Sequence, residues 1–296
     1  MATGWRVRRG LAPMNNATGR GKTGFLGPTG TWSEEALMAN TALTEEDTTP
    51  LPSIADVITA VAAGDVAEGI VPMENALEGS ITVTLDMLAF DVENIQIIRE
   101  IDHPIHLKLI ARESLSLDEI EKVISLPHAH AQCRRFLRER LPNAEVVAAN
   151  STADAVRIVS LSDAKWAAIG SSLAATSYGC VVLEEDIEDY PGNQTRFVLL
   201  SIKPAPQDLD YAYKTSIVCT IAHDQPGSLL KILQEFAHRF VNLTKIESRP
   251  SKKGLGDYVF FIDVEGRKDD RQVAEAIKCL ECKLARVKFL GSYPVG

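Results

Sequence analysis

The stretch NQTRFVLL, residues 193–200, sets Thr195 and Arg196 at the mouth of an unbroken apolar run, Phe197 to Leu200. A threonine hydroxyl can donate or accept a hydrogen bond, and an arginine offers a planar fork suited to a carboxylate. A binding site and a plain loop-to-strand boundary both explain such a juxtaposition. Alternation along a strand sends Thr195 and Arg196 to opposite faces unless the turn before Phe197 breaks it, and an ion pair with Glu74 or another structural acid is the structural reading of Arg196. The same order of apolar run, polar turn and helix start recurs at 27–33, 72–80, 125–132 and 150–154. In open α/β sheets, ligands bind beyond the carboxyl ends of strands, where helix N-termini present free amides. Thr29, Gly30 and Thr31 open one such helix, so their amides or hydroxyls can meet a carboxylate. Ser151 and Thr152 open another, where N-capping and binding are compatible. Several such ends together suit a small anionic ligand.

Other chemistries lack their residues. There is no Ser-His-Asp order, no Gly-x-Ser-x-Gly, no Walker loop and no GxGxxG, and no cofactor is expected. Cys279-x-x-Cys282 has no second pair to complete a zinc site. His103-x-x-His106 and His128-x-His130 lack the Cys or carboxylate company of metal ligands, so no metal is expected either. The net charge of -9 argues against nucleic acid, and 45% apolar with 24% charged residues is an ordinary globular composition. No run approaches the roughly 20 apolar residues of a membrane span. Five scattered cysteines fit a reducing cytoplasm.

The elements that must position these residues follow from periodicity. From Gly24 to Leu200 short apolar runs alternate with helical patterns, the sign of an α/β sheet. Strands are expected at 24–27, 68–75, 105–111, 122–126, 144–149, 166–171 and 195–200. Helices are expected from near Ser33, over 54–64, over 130–140 and from Ser151. SIKPAPQDLDYAYK (201–214) reads as a linker. Beyond it the order strand 215–222, helix 226–240, strands 242–249 and 258–266, helix 269–283 and strand 287–294 is the ferredoxin-like βαββαβ unit. The expected domains are therefore 23–202, a linker at 203–213 and a second domain at 214–294. Residues 1–22 carry four Arg and one Lys without an acid or an apolar h-region. They read as a disordered extension, or as an over-long start with Met14 as the true one.

At this point the motifs become those of a family. GFLGPTGTWSEEA (24–36), GIVPMENALEGSITVTLDML (69–88), SLPHAHAQC (125–133), NSTADA (150–155) and NQTRF (193–197), followed by DQPGSLLKIL (224–233) and NLTKIESRP (242–250), resemble bacterial monofunctional prephenate dehydratase with a C-terminal ACT domain. The resemblance covers about residues 24–293, and too few residues precede Gly24 for a fused chorismate mutase. It implies two α/β lobes, similar to the type-II periplasmic binding fold, with the active site in the cleft between them. It implies decarboxylative dehydration of prephenate to phenylpyruvate, with Thr195 as the catalytic hydroxyl. It implies substrate contacts at Thr29, Gly30, Thr31, Glu74, Asn75, Ser125, Gln132, Ser151, Thr152, Arg196 and Phe197. The family's Ser/Thr-His-Pro-Gln is replaced by Ser125-Leu126-Pro127-His128, which leaves that pocket edge undefined. In the second domain the resemblance implies a feedback site for L-phenylalanine at an ACT–ACT interface. Its residues would be Gly227, Ser228, Leu229, Asn242, Leu243, Glu247, Ser248, Arg249 and Pro250, in a homodimer or homotetramer. The rivals are an arogenate dehydratase and a two-lobed ligand sensor without catalysis.

Overall fold

A computed structural model describes residues 21–206, 211–221, 225–252, 254 and 257–295. Most of the expected 1–22 extension and the middle of the 203–213 linker thus lie outside the described residues. The chain divides into two compact units: Gly21–Leu85 with Asp102–Phe197, and Asp86–Ile101 with the residues from Val198 on.

The first unit is built on two sheets. In one, β1 (Thr23–Leu26) lies between β2 (Thr48–Leu51) and β3 (Glu68–Asn75), parallel to both, and β4 (Gly79–Ser80) folds back on β3. The order continues from β3 to β11 (Gln194–Ser201) and β5 (Gln96–Pro104), strands that also run into the second unit. Helices α1 (Trp32–Asn40) and α2 (Ile54–Ala63) follow β1 and β2. The bounds of α2 are legible in its residues: Ser53 accepts a hydrogen bond from the Asp56 amide, and Gly64 closes the helix at φ 79°. Val57, Ile58 and Val61 form its buried face.

The other sheet has the order β10 (Val181–Glu184), β6 (Lys108–Ala111), β9 (Trp166–Gly170), β7 (Lys122–Ser125) and β8 (Glu145–Ala148). Strands covered on both faces read as continuous apolar runs, and here the two faces feed separate cores. Leu109, Val123 and Ile169 pack with Leu137 on one side. Ile110, Ile124 and Ala168 pack with Val156 and Ala174 on the other. The covering helices include α6 (Thr152–Ser160) and α7 (Ser172–Ser177). The expected helix over 130–140 is two, α4 (Pro127–Gln132) and α5 (Arg134–Arg140), because Cys133 adopts φ -111° and ψ 19° between them.

Four strands went unread in the sequence, β2, β4, β5 and β10, and the expected strand at 105–111 begins only at Lys108. The cause in β5 is charge. Arg99 and Glu100 interrupt its apolar run yet are buried, and Glu100 accepts two hydrogen bonds from Lys214 Nζ at 2.7 and 2.8 Å. A partner that far along the chain is invisible to periodicity. Between these sheets' elements, α3 (Thr82–Asp86) continues into a π-helical turn, Met87–Asp91.

In the second unit the sheet order is β13 (Leu243–Pro250), β14 (Tyr258–Glu265), β12 (Tyr213–Thr220) and β15 (Arg286–Pro294), antiparallel throughout. With α8 (Ser228–Ala237) and α9 (Arg271–Lys283) this is the expected βαββαβ unit. Ile217, Cys219, Ile232, Phe236, Ile262 and Ile277 share its core. Segment 86–101 is tied to it by Lys214–Glu100, by Arg286–Glu93, by Lys288 donating to the Val92 carbonyl, and by Arg249–Asp86.

One glycine fixes the approach of the two lobes. Gly30, at φ 88°, sits so close to α7 that an added Cβ would lie 2.8 Å from Ala174 Cα. Both the left-handed backbone and the missing side chain are required there. Gly30→Ala is expected to destabilise the protein by about 2 kcal/mol or more. An unchanged denaturation midpoint would show that the close approach is not needed for folding.

Candidate active site

The polar residues singled out in the sequence lie where β1, β3, β7 and β8 end and where β11 begins. At the end of β1, Gly30 and Thr31 are held by the protein itself. The Gly30 amide donates to Glu34 Oε2 at 2.6 Å, and the Thr31 hydroxyl donates to the Leu26 carbonyl at 2.7 Å. The turn is also grasped from the second lobe. Ser171 Oγ donates to the Gly30 carbonyl at 3.0 Å, and the Tyr178 hydroxyl donates to the Thr29 carbonyl at 2.9 Å.

At the ends of β3 and β11, Asn75 is the centre. Its Nδ2 donates to Thr195 Oγ1 at 2.9 Å, to Asn193 Oδ1 at 2.9 Å and to the Gln194 carbonyl at 3.3 Å. Its Oδ1 accepts from the amides of Leu77 and Glu78 at 2.9 and 3.1 Å. Alternation holds in β11: Thr195 and Phe197 are buried, and Arg196 turns to the other face, 3.9 Å from Glu74 Oε2. Phe197 is 2% exposed, with the His103 ring edge-on at 6.5 Å, so it stands as wall and core at once.

At the end of β7, Ser125 is fully buried and donates to the Ile169 carbonyl at 2.8 Å. Gln132, on α4, donates from Nε2 to Glu78 Oε1 at 2.9 Å and accepts from Asn193 Nδ2 at 3.5 Å. Ser151 caps α6 by accepting from the Asp154 amide, and Thr152 follows as its first residue. The structure therefore joins Asn75, Gln132 and Thr195 in one hydrogen-bonded group and pairs Glu74 with Arg196. Thr29, Gly30, Thr31, Ser125, Ser151 and Thr152 stand at separate strand ends.

The sequence did not single out Glu34, Glu78, Ser171, Tyr178 or Asn193. Asn193 was visible beside the Thr-Arg-Phe triplet, and it is 3% exposed in the structure. The others work through contacts distant in the chain, apart from Glu34, whose place one helical turn after Gly30 was a usable signal.

The histidines go to different carboxylates. His103 Nε2 lies 3.4 Å from Glu35 Oε1, and His106 Nδ1 lies 3.0 Å from Asp186 Oδ1 and 3.5 Å from Glu188 Oε1. His106, Asp186 and Glu188 are the described residues whose donor atoms could share a cation, within 4.8 Å of one another. Glu188 also accepts from the Leu107 amide at 2.9 Å. Burial raises the Cys219 thiol to about 12, far from a reactive thiolate.

In the second unit, Gly227 caps α8 at φ 87°, and the Ser228 hydroxyl accepts from the Gln225 amide at 3.1 Å. Ser228 also lines a concavity of about 220 Å³ with Lys231, Leu280 and Lys283, and Leu229 packs on the core. The Asn242 carbonyl accepts from Glu265, just ahead of Leu243 at the start of β13. Along the edge strand β13, Glu247 pairs with Lys245 at 3.2 Å, while Ser248 and Pro250 are exposed. Arg249 donates from Nε and Nη2 to Asp86 Oδ1 at 3.2 and 3.0 Å.

Comparison with known proteins gives this geometry a context. The family model described as prephenate dehydratase matches residues 23–205, and the ACT domain model matches 215–281. A prephenate dehydratase of Methanocaldococcus jannaschii is 44% identical over 228 residues, covering 77% of this chain and 81% of the relative. The crystal structure of prephenate dehydratase from Arthrobacter aurescens in complex with L-Phe superposes with a TM-score of 0.83 at 39% identity, covering 92% of this chain and 90% of that one. A structure described as GqqA, a quorum-quenching acylase, superposes at 0.82 with 27% identity, covering 93% and 98%.

Burial makes Glu34 a pH-sensitive part of the β1–α1 turn. Desolvation pushes its carboxyl above the ordinary 4.5, the Gly30 amide opposes the rise, and Glu45 adds to it. Between 4.5 and its raised value, the folded chain still holds a proton that the unfolded chain has released, so stability declines as pH rises through that window. Glu34→Gln is expected to flatten this decline in denaturation midpoints taken across the window. An identical slope in the variant would assign the pH dependence elsewhere.

Proposed function

The chain belongs to the prephenate dehydratase family, and on that premise we propose that it converts prephenate to phenylpyruvate, water and carbon dioxide. Residues 23–202 carry the chemistry in this reading, 203–213 link, and 214–294 regulate. The observation that carries it is the hydrogen bond from Asn75 Nδ2 to Thr195 Oγ1. With a lone pair of its oxygen engaged by an amide donor, the Thr195 hydroxyl keeps its own proton free to donate. That suits a hydroxyl leaving group.

The reaction needs no carbanion and no strong base. The ring C–O bond breaks as the leaving oxygen takes up a proton and departs as water. The ring carboxylate departs as carbon dioxide, and its bonding electrons pass into the ring, which becomes aromatic. One proton is consumed per turnover and solvent supplies it. Threonine is a very weak acid, so the value of Thr195 lies in a positioned hydrogen bond to the departing oxygen. In this reading Arg196 meets a substrate carboxylate only from the face it shares with Glu74, 3.9 Å away and opposite that of Thr195. Thr29, Ser151 and Thr152, with Gln132, supply neutral donors, while the Gly30 amide and the Thr31 and Ser125 hydroxyls donate within the protein and shape the strand ends around them.

An acylase, the activity in the description of one structural neighbour, would need a base to take the nucleophile's proton. Thr195 instead meets an amide donor, which supports dehydration over acyl transfer. The ACT domain is the regulatory part, with L-phenylalanine as its inhibitor at a site shared by two copies of the chain. That makes the working unit at least a dimer. No described helix is long and apolar enough to cross a membrane, and we place the enzyme in the cytoplasm.

Purified protein should form phenylpyruvate from prephenate, with L-phenylalanine lowering the rate. Thr195→Ala should cut kcat by about a hundredfold with folding intact. Arogenate run in parallel separates the two substrates: a preference for it keeps the mechanism and changes the side chain recognised. Binding of prephenate without turnover by the wild-type protein would instead establish the sensor.

A further inference from the structure

We propose that Glu78 and His128 form a latch that positions Gln132 and, through Asn193, the Asn75–Thr195 pair. The proposal rests on the reading of Thr195 as the reacting hydroxyl. Glu78 sits in the turn between β3 and β4, and its amide is one of the two that donate to Asn75 Oδ1. Its side chain reaches the other lobe. Oε1 accepts from Gln132 Nε2 at 2.9 Å and lies 3.1 Å from His128 Nδ1. Both of those residues are on α4, directly after β7. One carboxylate thereby ties together strand ends from two sheets.

The chain of contacts has a direction, and Glu78 sets it. A carboxylate can only accept, so Gln132 must present its NH₂ to Glu78 and its oxygen to Asn193. The Asn193 NH₂ then faces Gln132 at 3.5 Å, and its oxygen takes Asn75 Nδ2 at 2.9 Å. The same Asn75 nitrogen engages Thr195 Oγ1. Reversing any amide would set donor against donor or acceptor against acceptor. The hydroxyl proton of Thr195 is thus left for donation by a relay that runs from Glu78 through Gln132 and Asn193 back to Asn75. His128 meets the same Glu78 oxygen as Gln132, Oε1, at the position where this chain departs from the family's usual residue.

Both members of the latch reach solvent, with side chains 68% and 34% exposed for His128 and Glu78. Such a pair adds little to global stability, so its removal should appear in turnover before it appears in folding. Glu78→Ala should lower kcat about tenfold with a much smaller change in KM, and with thermal unfolding unchanged. His128→Gln keeps a donor for Glu78 and should stay within about twofold of wild type. His128→Ala should fall between them, and adding it to Glu78→Ala should cost nothing further.

Amide hydrogen exchange over residues 127–132 gives a readout that needs no substrate. It should be faster in Glu78→Ala than in wild type. Glu78→Ala with wild-type kcat, or with unchanged exchange in α4, overturns the latch. Wild-type protein inactive on prephenate and arogenate overturns the catalytic reading instead, and the exchange comparison then decides the latch alone: faster exchange upholds it and equal exchange sinks it.

Discussion

Everything at the candidate site depends on one carboxamide having no free valence. Asn75 gives its nitrogen to Thr195, Asn193 and Gln194, and takes the amides of Leu77 and Glu78 on its oxygen. With these contacts it closes the ends of β3 and β11, caps the turn into β4 and orients the hydroxyl at position 195. A half-buried amide so fully engaged has one favoured flip state, because the other sets its nitrogen against the Leu77 and Glu78 amides and its oxygen against Thr195 and Asn193. The resemblance assigns Asn75 to the substrate. In the structure its first task is to aim another side chain.

The same holds around the pocket. Gly30 N–H is held by Glu34, the Thr31 hydroxyl by Leu26, the Ser125 hydroxyl by Ile169, and Ser151 by the helix it caps. Buried polar groups must find partners within the protein, so the groups fit to meet a ligand are the ones most completely tied down beforehand. A helix start retains further amides, and the Ser151 hydroxyl, which accepts at its cap, keeps its own proton to donate. Those are the donors an anion can meet without first breaking the site's own structure. Such preorganisation is the physical content of a rigid site, since little ordering remains to be done when the ligand arrives.

How much of this was legible follows from the range of the interactions. The ACT domain was read almost element by element, because βαββαβ is a local rhythm of alternation and helical period with short connections. The strand at 195–200 and the helix from Ser53 to Gly64 were legible for the same reason. Strand β5 was not, since Arg99 and Glu100 make sense only once Lys214 is known to stand beside Glu100. The break at Cys133 within 130–140 had no glycine or proline to announce it. At the site, the motif residues could be named from the family resemblance, whereas Glu78, Ser171 and Tyr178 became visible only when the second lobe supplied their partners. Alternation alone did settle one point, that Thr195 and Arg196 face opposite ways.

The residues that the resemblance assigns to L-phenylalanine obey the same rule at greater separation in sequence. Arg249 lies in the segment that the resemblance assigns to L-phenylalanine, yet its guanidinium is directed at Asp86, which also receives Lys252 Nζ at 3.1 Å. Asp86 ends α3, the helix reached from Asn75 by way of the β3–β4 turn that carries Glu78. A carboxylate held by two cations and only 18% exposed tolerates the loss of either poorly, because the remaining charge stays partly desolvated. Any ligand that competes for Arg249 therefore acts on Asp86 as well. Asp86 is joined through a short run of backbone to the turn that holds Asn75 and Glu78, and Asn75 in turn donates to Thr195 Oγ1.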